Sequence, residues 1–162
     1  MRTKYFQVLR YFRNTFYMTK NLCLKCIYLL KFIPCKTVYN DICKVTEVRI
    51  TPCQKNKKCV FVKGSDATMS FDFTPNFAAN ELETSVYWAN GAVDINFEGF
   101  GSNDGCAYTT CPTEAGKSQT LNYNLHVSKK LPPGSFTFKW KVWDKEDIAK
   151  LCCFKTTITL KK

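Results

Sequence analysis

The residues with the clearest capacity for chemistry are the cysteines, of which the chain of 162 residues has ten. Disulfides persist in oxidising compartments and are rare in the cytosol. This density therefore predicts a secreted protein, either extracellular or in the lysosomal lumen. Two pairs lie close in sequence, Cys53 with Cys59 and Cys106 with Cys111. Each pair is predicted to form a disulfide that closes a short loop.

A third disulfide is predicted to join the two ends of the folded region. Cys43 lies near its start, and Cys152 and Cys153 open its last apolar stretch. If that stretch is a strand, alternate residues from Phe154 to Leu160 face inward, and Cys152 belongs to the same face. Because Cys153 faces outward, we expect a Cys43–Cys153 bridge and a buried Cys152 thiol that behaves as a small apolar residue.

No other residues form a catalytic or metal-binding pattern. His126 is the only histidine, which removes the commonest general base and most zinc ligand sets. The chain has no G-x-S-x-G nucleophile motif, and the C-x-x-C of Cys23 and Cys26 has no second pair. The sequence therefore predicts neither an enzyme, nor a cofactor, nor a metal site.

The formal net charge of +11 is concentrated in residues 1–36, which carry eight basic and no acidic side chains. The remainder has sixteen basic and thirteen acidic residues, a net charge of only +3, so nucleic-acid binding is not expected.

We predict a basic leader at 1–36 and one domain at 37–162. Lysines interrupt the apolar part of the leader, so it is an atypical signal segment. Two interpretations are a start at Met18, with residues 1–17 a gene-model extension, and a weak membrane-associating stretch.

Apolar and polar residues alternate with a period of two throughout the domain, as in half-buried β-strands. The clearest runs are 67–74, 93–98, 121–127 and 136–142, and weaker ones are 45–51, 59–62, 84–89 and 152–160. Turn-forming residues separate these runs, and none of them shows helical periodicity. An all-β antiparallel sandwich or barrel is therefore predicted.

Three sequence elements, taken in order, resemble the ML family of lipid-recognition domains, which includes the small soluble Niemann-Pick type C sterol carrier and group-two mite allergens. The elements are Cys43, Val48, Ile50, Pro52, Cys53 and Cys59; then Asp104–Cys106 with Cys111 and Pro112; then Phe138–Val142, the acidic turn Asp144–Asp147 and Leu151–Phe154. The resemblance implies an immunoglobulin-like sandwich with three disulfides and an apolar ligand held between the sheets.

The aromatic residues on the predicted inward faces would line that cavity. They are Phe71, Phe73, Trp88, Phe97, Phe136, Phe138, Trp140 and Phe154. By resemblance, three further residues lie near the mouth, namely Phe100, Tyr108 and Pro112. The implied partner is a sterol, a fatty acid or another apolar lipid. A monomer would hold it for transfer or presentation, in transient contact with an anionic membrane or a membrane lipid transporter.

The alternation itself leaves other functions open. The same aromatic residues would suit a filled core, as in a secreted immunoglobulin-like module that binds a protein through an exposed surface. A lipid sensor in innate immunity or chemical signalling would have the same cavity as a carrier. A cavity of several hundred Å³ would favour the lipid-binding functions over the protein-binding module.

Overall fold

Alternation of apolar and polar residues produces strands throughout the part of the chain that the computed structural model describes, residues 31–35, 41–53, 58–97 and 103–162. The strands in these ranges are β1 (Ile33–Pro34), β2 (Cys43–Thr51), β3 (Cys59–Val62), β4 (Asp66–Pro75), β5 (Leu82–Trp88), β6 (Ile95–Asn96), β7 (Gln119–His126), β8 (Gly134–Asp144) and β9 (Asp147–Lys161). The helical element described is a 3₁₀ turn at Gly105–Ala107. No helix in these ranges is long and apolar enough to cross a membrane.

The strands form two sheets that pack face to face. The smaller sheet has the order β2-β4-β7; the larger has the order β1-β9-β8-β5-β6, with β3 also paired to β9. This confirms the predicted sandwich. Of the pairings described, only β3–β9 is parallel. Because the chain crosses from β2 in one sheet to β3 in the other, no hairpin imposes an antiparallel pairing there.

Alternate positions on the two facing sheets form one apolar core. Along β4, for example, Ala67, Met69, Phe71 and Phe73 are all at most 4% exposed, whereas the residues between them face outward. The largest fully buried side chains of the described residues come from both sheets: Trp140, Phe71, Phe73, Phe154, Ile50, Met69, Leu82 and Leu121. The period-two pattern therefore identifies the core-facing side of these strands correctly.

The predicted strand at 93–98 is the least accurate of the set. β6 covers only Ile95 and Asn96, which pair with Trp88 and Tyr87 at the edge of the larger sheet. Val93 is 75% exposed and Ile95 66% exposed. Of the three alternating apolar residues only Phe97 packs against the core, because the segment lies at a sheet edge.

The described residues contain four disulfides, and two of them differ from the sequence-based pairing. Cys43 is bonded to Cys152, and Cys35 is bonded to Cys153. The expected Cys43–Cys153 bridge and the buried Cys152 thiol are therefore wrong. Cys152 does face inward, and for that reason it faces β2 in the opposite sheet, where Cys43 lies. The two loop-closing bonds join Cys53 to Cys59 and Cys106 to Cys111.

Residues 31–35, expected to belong to the leader, contribute to the larger sheet. Ile33 pairs with Lys155 and Pro34 with Phe154, and the Cys35 N–H donates to the Cys153 carbonyl at 3.1 Å. The expected boundary at residue 37 therefore separates β1 from the sandwich to which it belongs. The other leader residues, including Cys23 and Cys26, lie outside the described ranges.

A polar network on the outer face of the smaller sheet connects its three strands. Arg49 on β2 donates two hydrogen bonds to the Asp72 carboxylate on β4, at 2.6 and 2.7 Å, and one to Ser70 at 2.9 Å. Thr120 on β7 donates to the same carboxylate at 2.6 Å. These hydrogen bonds lower the pKa of Asp72 below its usual range, and those from the Arg49 guanidinium have the largest effect. The network therefore stabilises the register of β2, β4 and β7.

We predict that the Cys43→Ser/Cys152→Ser double variant shows no more free thiols than the unsubstituted protein, because it removes both partners of one disulfide. It should lose about 2–5 kcal/mol of unfolding free energy. The Cys43→Ser/Cys153→Ser variant removes one partner from each of two disulfides and leaves Cys35 and Cys152 unpaired, so thiol titration should find two additional free thiols. No additional thiols in the second variant would instead support the Cys43–Cys153 pairing with a free Cys152.

Replacement of Asp72 by Asn should destabilise the protein in a pH-dependent way. We expect a loss of about 2 kcal/mol near pH 7, since hydrogen bonds to a charged group are lost. A carboxylate whose folded-state pKa is lowered contributes stability above its unfolded pKa of about 3.9, and this contribution disappears as the pH falls further. Urea denaturation near neutral pH and near pH 3 measures the effect.

The matched control for this experiment is Asp66→Asn, on the same strand and the same outer face. Asp66 contacts only His126 among the ion pairs described, and both side chains are largely exposed. Exposed pairs contribute about 0.2–1 kcal/mol, so the loss should be smaller. Equal losses for the two variants, or a loss in Asp72→Asn that persists undiminished in acid, would contradict the proposed role of the Arg49 network.

Candidate functional site

A cavity lies between the two sheets at the end where β7 and β9 finish and β8 begins. Leu125 and Val127 contribute to its walls from one side, and inward residues of β8 and β9 from the other. The complete lining is Phe61, Phe97, Leu125, His126, Val127, Leu131, Phe138, Trp140, Ile158 and Leu160. With His126 as its one titratable side chain, the lining suits an apolar ligand.

The cavity is small in this structure. Its volume is about 40 Å³, which accommodates a few water molecules. Sites that enclose drug-sized ligands measure about 300–1,000 Å³. A lipid could therefore bind only if wall side chains move aside or the sheet edges separate.

Exposed and partly exposed residues border the cavity on its solvent side. The His126 ring is 65% exposed, and its Nδ1 atom lies 2.7 Å from an oxygen of Asp66 on the neighbouring strand. Leu131, in the turn between β7 and β8, is half-buried, and its carbonyl accepts a hydrogen bond of 3.0 Å from Lys63. These residues lie at or near the surface of the protein, so they form the mouth of the cavity.

An aromatic cluster adjoins the cavity along β5, β6 and β8. The Trp88 ring centroid lies 5.2 Å from that of Phe97, 4.7 Å from Phe136 and 4.9 Å from Phe138. Most of these contacts are edge-to-face, the arrangement that aromatic quadrupoles favour. Phe97 and Phe138 belong both to this cluster and to the cavity wall, so the cluster supports one side of the cavity.

A buried hydrogen-bonded layer crosses the interior at the inner end of the cavity. The Trp140 indole N–H donates to Thr156 Oγ1 at 3.1 Å, and the Trp140 ring centroid lies 5.9 Å from that of Tyr123. The Tyr123 hydroxyl is hydrogen-bonded to Thr84 Oγ1, which donates to the Lys141 carbonyl at 2.8 Å. Burial raises the pKa of the Tyr123 hydroxyl well above its usual value.

A family model of the ML domain matches residues 30–160, which is most of the chain. The protein belongs to the ML-domain family. Its sequence is 52% identical over 131 residues to the MD-2-related lipid-recognition protein of Manduca sexta, an alignment that covers 81% of this chain and 85% of that protein. It is 30% identical over 99 residues to the ecdysteroid-regulated 16 kDa protein of the same species, covering 60% of this chain and 66% of that one.

The fold of this ML domain is also that of a solved structure. The crystal structure of a Niemann-Pick type C2 protein from the Japanese carpenter ant superposes with a TM-score of 0.71. The superposition covers 82% of this chain and 100% of that one at 20% sequence identity. This superposition shows that the two proteins share a fold.

Three of the residues predicted to bind ligand line the cavity of this ML domain: Phe97, Phe138 and Trp140. Trp88 and Phe136 lie in the adjoining aromatic cluster and not in the lining. Both are partly buried and pack against the core. Aromatic residues of β5 and β8, together with Phe97 just after β6, thus lie close together at this end of the sandwich.

The remaining predicted residues lie elsewhere. Phe71, Phe73 and Phe154 are at most 2% exposed and belong to the closed core beyond Trp140. Tyr108 stacks on Tyr123 at 4.4 Å between ring centroids, and Pro112 is exposed on the loop of the Cys106–Cys111 bond; neither is in the lining. The position predicted at Phe100 lies outside the described residues.

Sequence reasoning missed the five aliphatic lining residues, because it selected only aromatic ones, and it also missed Phe61 and His126. The missed lining residues are Phe61, Leu125, His126, Val127, Leu131, Ile158 and Leu160. The alternation had already assigned Leu125 and Val127, with Ile158 and Leu160, to inward faces. What it lacked was the strand register, which brings these four residues to the same end of the sandwich.

The raised pKa of Tyr123 predicts a loss of stability in alkali. Above the usual tyrosine pKa of about 10, the unfolded chain can release this proton while the folded protein retains it, so stability falls as the pH rises. Tyr123→Phe should cost about 1 kcal/mol near neutral pH and make the alkaline decline shallower. Urea denaturation between about pH 8 and pH 11 measures both effects; an identical alkaline slope in the two proteins would contradict this assignment.

Proposed function

We propose that this protein is a secreted, non-catalytic carrier that binds one apolar lipid between its two sheets. The observation that carries the proposal is the apolar lining at one end of the sandwich, in a chain that belongs to a lipid-recognition family. The name of the relative at 52% identity also refers to lipid recognition. The disulfides support secretion, because bonds of this number persist in an oxidising compartment, extracellular or lysosomal.

Binding by this site requires the cavity to widen, and the energetics permit it. A sterol or acyl chain that loses roughly 400 Å² of apolar surface gains about 10 kcal/mol at about 25 cal/mol per Å². Association and the displacement of side chains offset several kcal/mol of that gain. What remains lies between the about 4 kcal/mol of millimolar binding and the about 8 kcal/mol of micromolar binding.

The ligand we favour is a sterol, a fatty acid or another single apolar lipid. The described lining has no buried charge that would recognise an ionised group inside the cavity, so selection would depend mainly on shape and length. The exposed residues Lys129 and Lys130 precede Leu131 at the mouth. Near an anionic membrane each would contribute about 1 kcal/mol to transient docking, during which a lipid could pass into or out of the monomer.

A protein-binding module is the second candidate, and the small cavity is the observation that favours it. If the 40 Å³ cavity never widens, the sandwich has a filled core like an ordinary immunoglobulin-like domain. The exposed apolar residues Val93 and Ile95 would then be candidates for a contact surface. A test of lipid uptake separates the two functions.

The test begins with the purified, oxidised full-length chain, extracted with organic solvent and analysed by mass spectrometry for bound lipid. Uptake of a fluorescent sterol and a fluorescent fatty acid is measured in parallel. Leu125→Trp places a larger side chain in the cavity wall and should weaken uptake at least tenfold, about 1.4 kcal/mol. Asn124→Trp, one residue away on the exposed outer face, is the matched control and should bind normally.

Thermal denaturation of both variants distinguishes a blocked cavity from a disrupted fold. The lipid-carrier proposal fails if the extract contains no lipid and neither probe is taken up. It also fails if Leu125→Trp and Asn124→Trp bind the probes equally well, because uptake would then occur at some other surface.

A further inference from the structure

The cavity has a defined inner end, and Trp140 forms it. On β8, Phe138 and Trp140 line the cavity, whereas the next inward residue, Val142, does not. On β9 the lining stops at Ile158 and does not include Thr156. Because Phe136 pairs with Ile158 and Trp140 with Phe154, Trp140 lies two inward positions deeper than Ile158 and is the innermost lining residue of these two strands.

Beyond Trp140 the interior is filled. The Phe154 ring stacks on the Trp140 ring with the two planes at 10° and their centroids 6.2 Å apart. Phe154 in turn contacts Phe71 at 4.8 Å between centroids, and both residues are at most 2% exposed. The Cys43–Cys152 disulfide joins the sheets one step further along β9. A ligand that enters from the mouth therefore meets a continuous aromatic stack behind the Trp140 ring.

Trp140 is held in place by a hydrogen bond within an apolar interior. Its indole N–H donates to Thr156 Oγ1, and both residues are 2% exposed. Breaking a buried hydrogen bond leaves polar atoms without water, so rotation of the ring is disfavoured. Tyr123, on β7 of the opposite sheet and hydrogen-bonded to Thr84, packs against the same ring.

The mouth has no comparable restraint. Leu131 is only half-buried and His126 is largely exposed, so either side chain can move into solvent without opening a void in the core. When the cavity widens around a ligand, the displacement should therefore occur at the mouth, while the inner end stays where it is. An apolar chain that exceeds the available depth would have to project from the mouth into water.

We infer that Trp140, positioned by its hydrogen bond to Thr156, is the floor of the cavity and limits the length of apolar chain that the protein buries completely. This inference rests on the proposed lipid-binding function and adds a determinant of ligand length to it. Trp140 is a specificity-determining residue, and Thr156 is a positioning residue that acts through it.

The test measures displacement of a fluorescent fatty acid by a series of saturated fatty acids whose chains increase by two carbons at a time. In the unsubstituted protein, affinity should rise by roughly fourfold per buried methylene until the chain reaches the floor, and then level off or fall. In Trp140→Leu this maximum should move to chains at least two carbons longer, which should gain about tenfold or more in affinity. Thr156→Val should move it in the same direction by a smaller amount.

The matched control is Trp143→Leu, on the outer face of the same strand, which should leave the preferred length unchanged. Near-ultraviolet circular dichroism establishes that each variant is folded. If Trp140→Leu does not fold, Trp140→Phe and Thr156→Val provide the decisive comparison. Uptake by folded variants with an unchanged length preference overturns the role of Trp140 alone. Absence of uptake by the unsubstituted protein overturns the lipid-carrier function and this inference together.

Discussion

The structure depends on a bond between the two sheets, the Cys43–Cys152 disulfide. Cys43 on β2 of the smaller sheet and Cys152 on β9 of the larger one are bonded, so this disulfide joins the two sheets through the interior of the sandwich. It lies at the end where Phe71, Phe73 and Phe154 fill the core. The cavity lies at the other end, among Leu125, Ile158 and their neighbours. The end with the packed core is thus covalently closed through its interior, whereas at the cavity end Cys53–Cys59 joins the end of β2 to β3 at one edge of the sandwich.

The interior combines two requirements that oppose each other. A protein of this size needs a packed core, and space without contacts costs stability, roughly 24 cal/mol per Å³ of cavity. A lipid carrier needs such space when a ligand is bound. The layer of Trp140, Tyr123, Thr84 and Thr156 separates the two regions, because its hydrogen bonds hold side chains from both sheets in defined positions. The core can therefore remain packed while the region near the mouth rearranges.

Much of the fold could be predicted from the sequence, because a half-buried strand imposes a period of two that is visible residue by residue. β3, β4, β7 and β8 were predicted within about two residues of their observed bounds, whereas β9 begins five residues earlier than predicted; its inward face was identified correctly. The pairing of Cys152 could not be predicted in the same way. The alternation along a strand shows which face of the sheet a cysteine occupies, but it does not show which strand lies opposite that face. Likewise, Phe154 and Phe138 carry the same alternation, although one lies in the closed core and the other in the cavity wall.

The sequence by itself determined the class of the protein: a disulfide-rich chain from the cysteines, a β-sandwich from the alternation, and membership of a lipid-recognition family from the order of the cysteine motifs. These are local properties, readable from residue types and their spacing. Only the tertiary structure decided which inward residues surround empty space, that Cys35 and β1 belong to the sandwich, and that Trp140 ends the cavity. Those facts depend on how far apart the two sheets lie at each point along the strands, and that separation is set by contacts between residues distant in sequence.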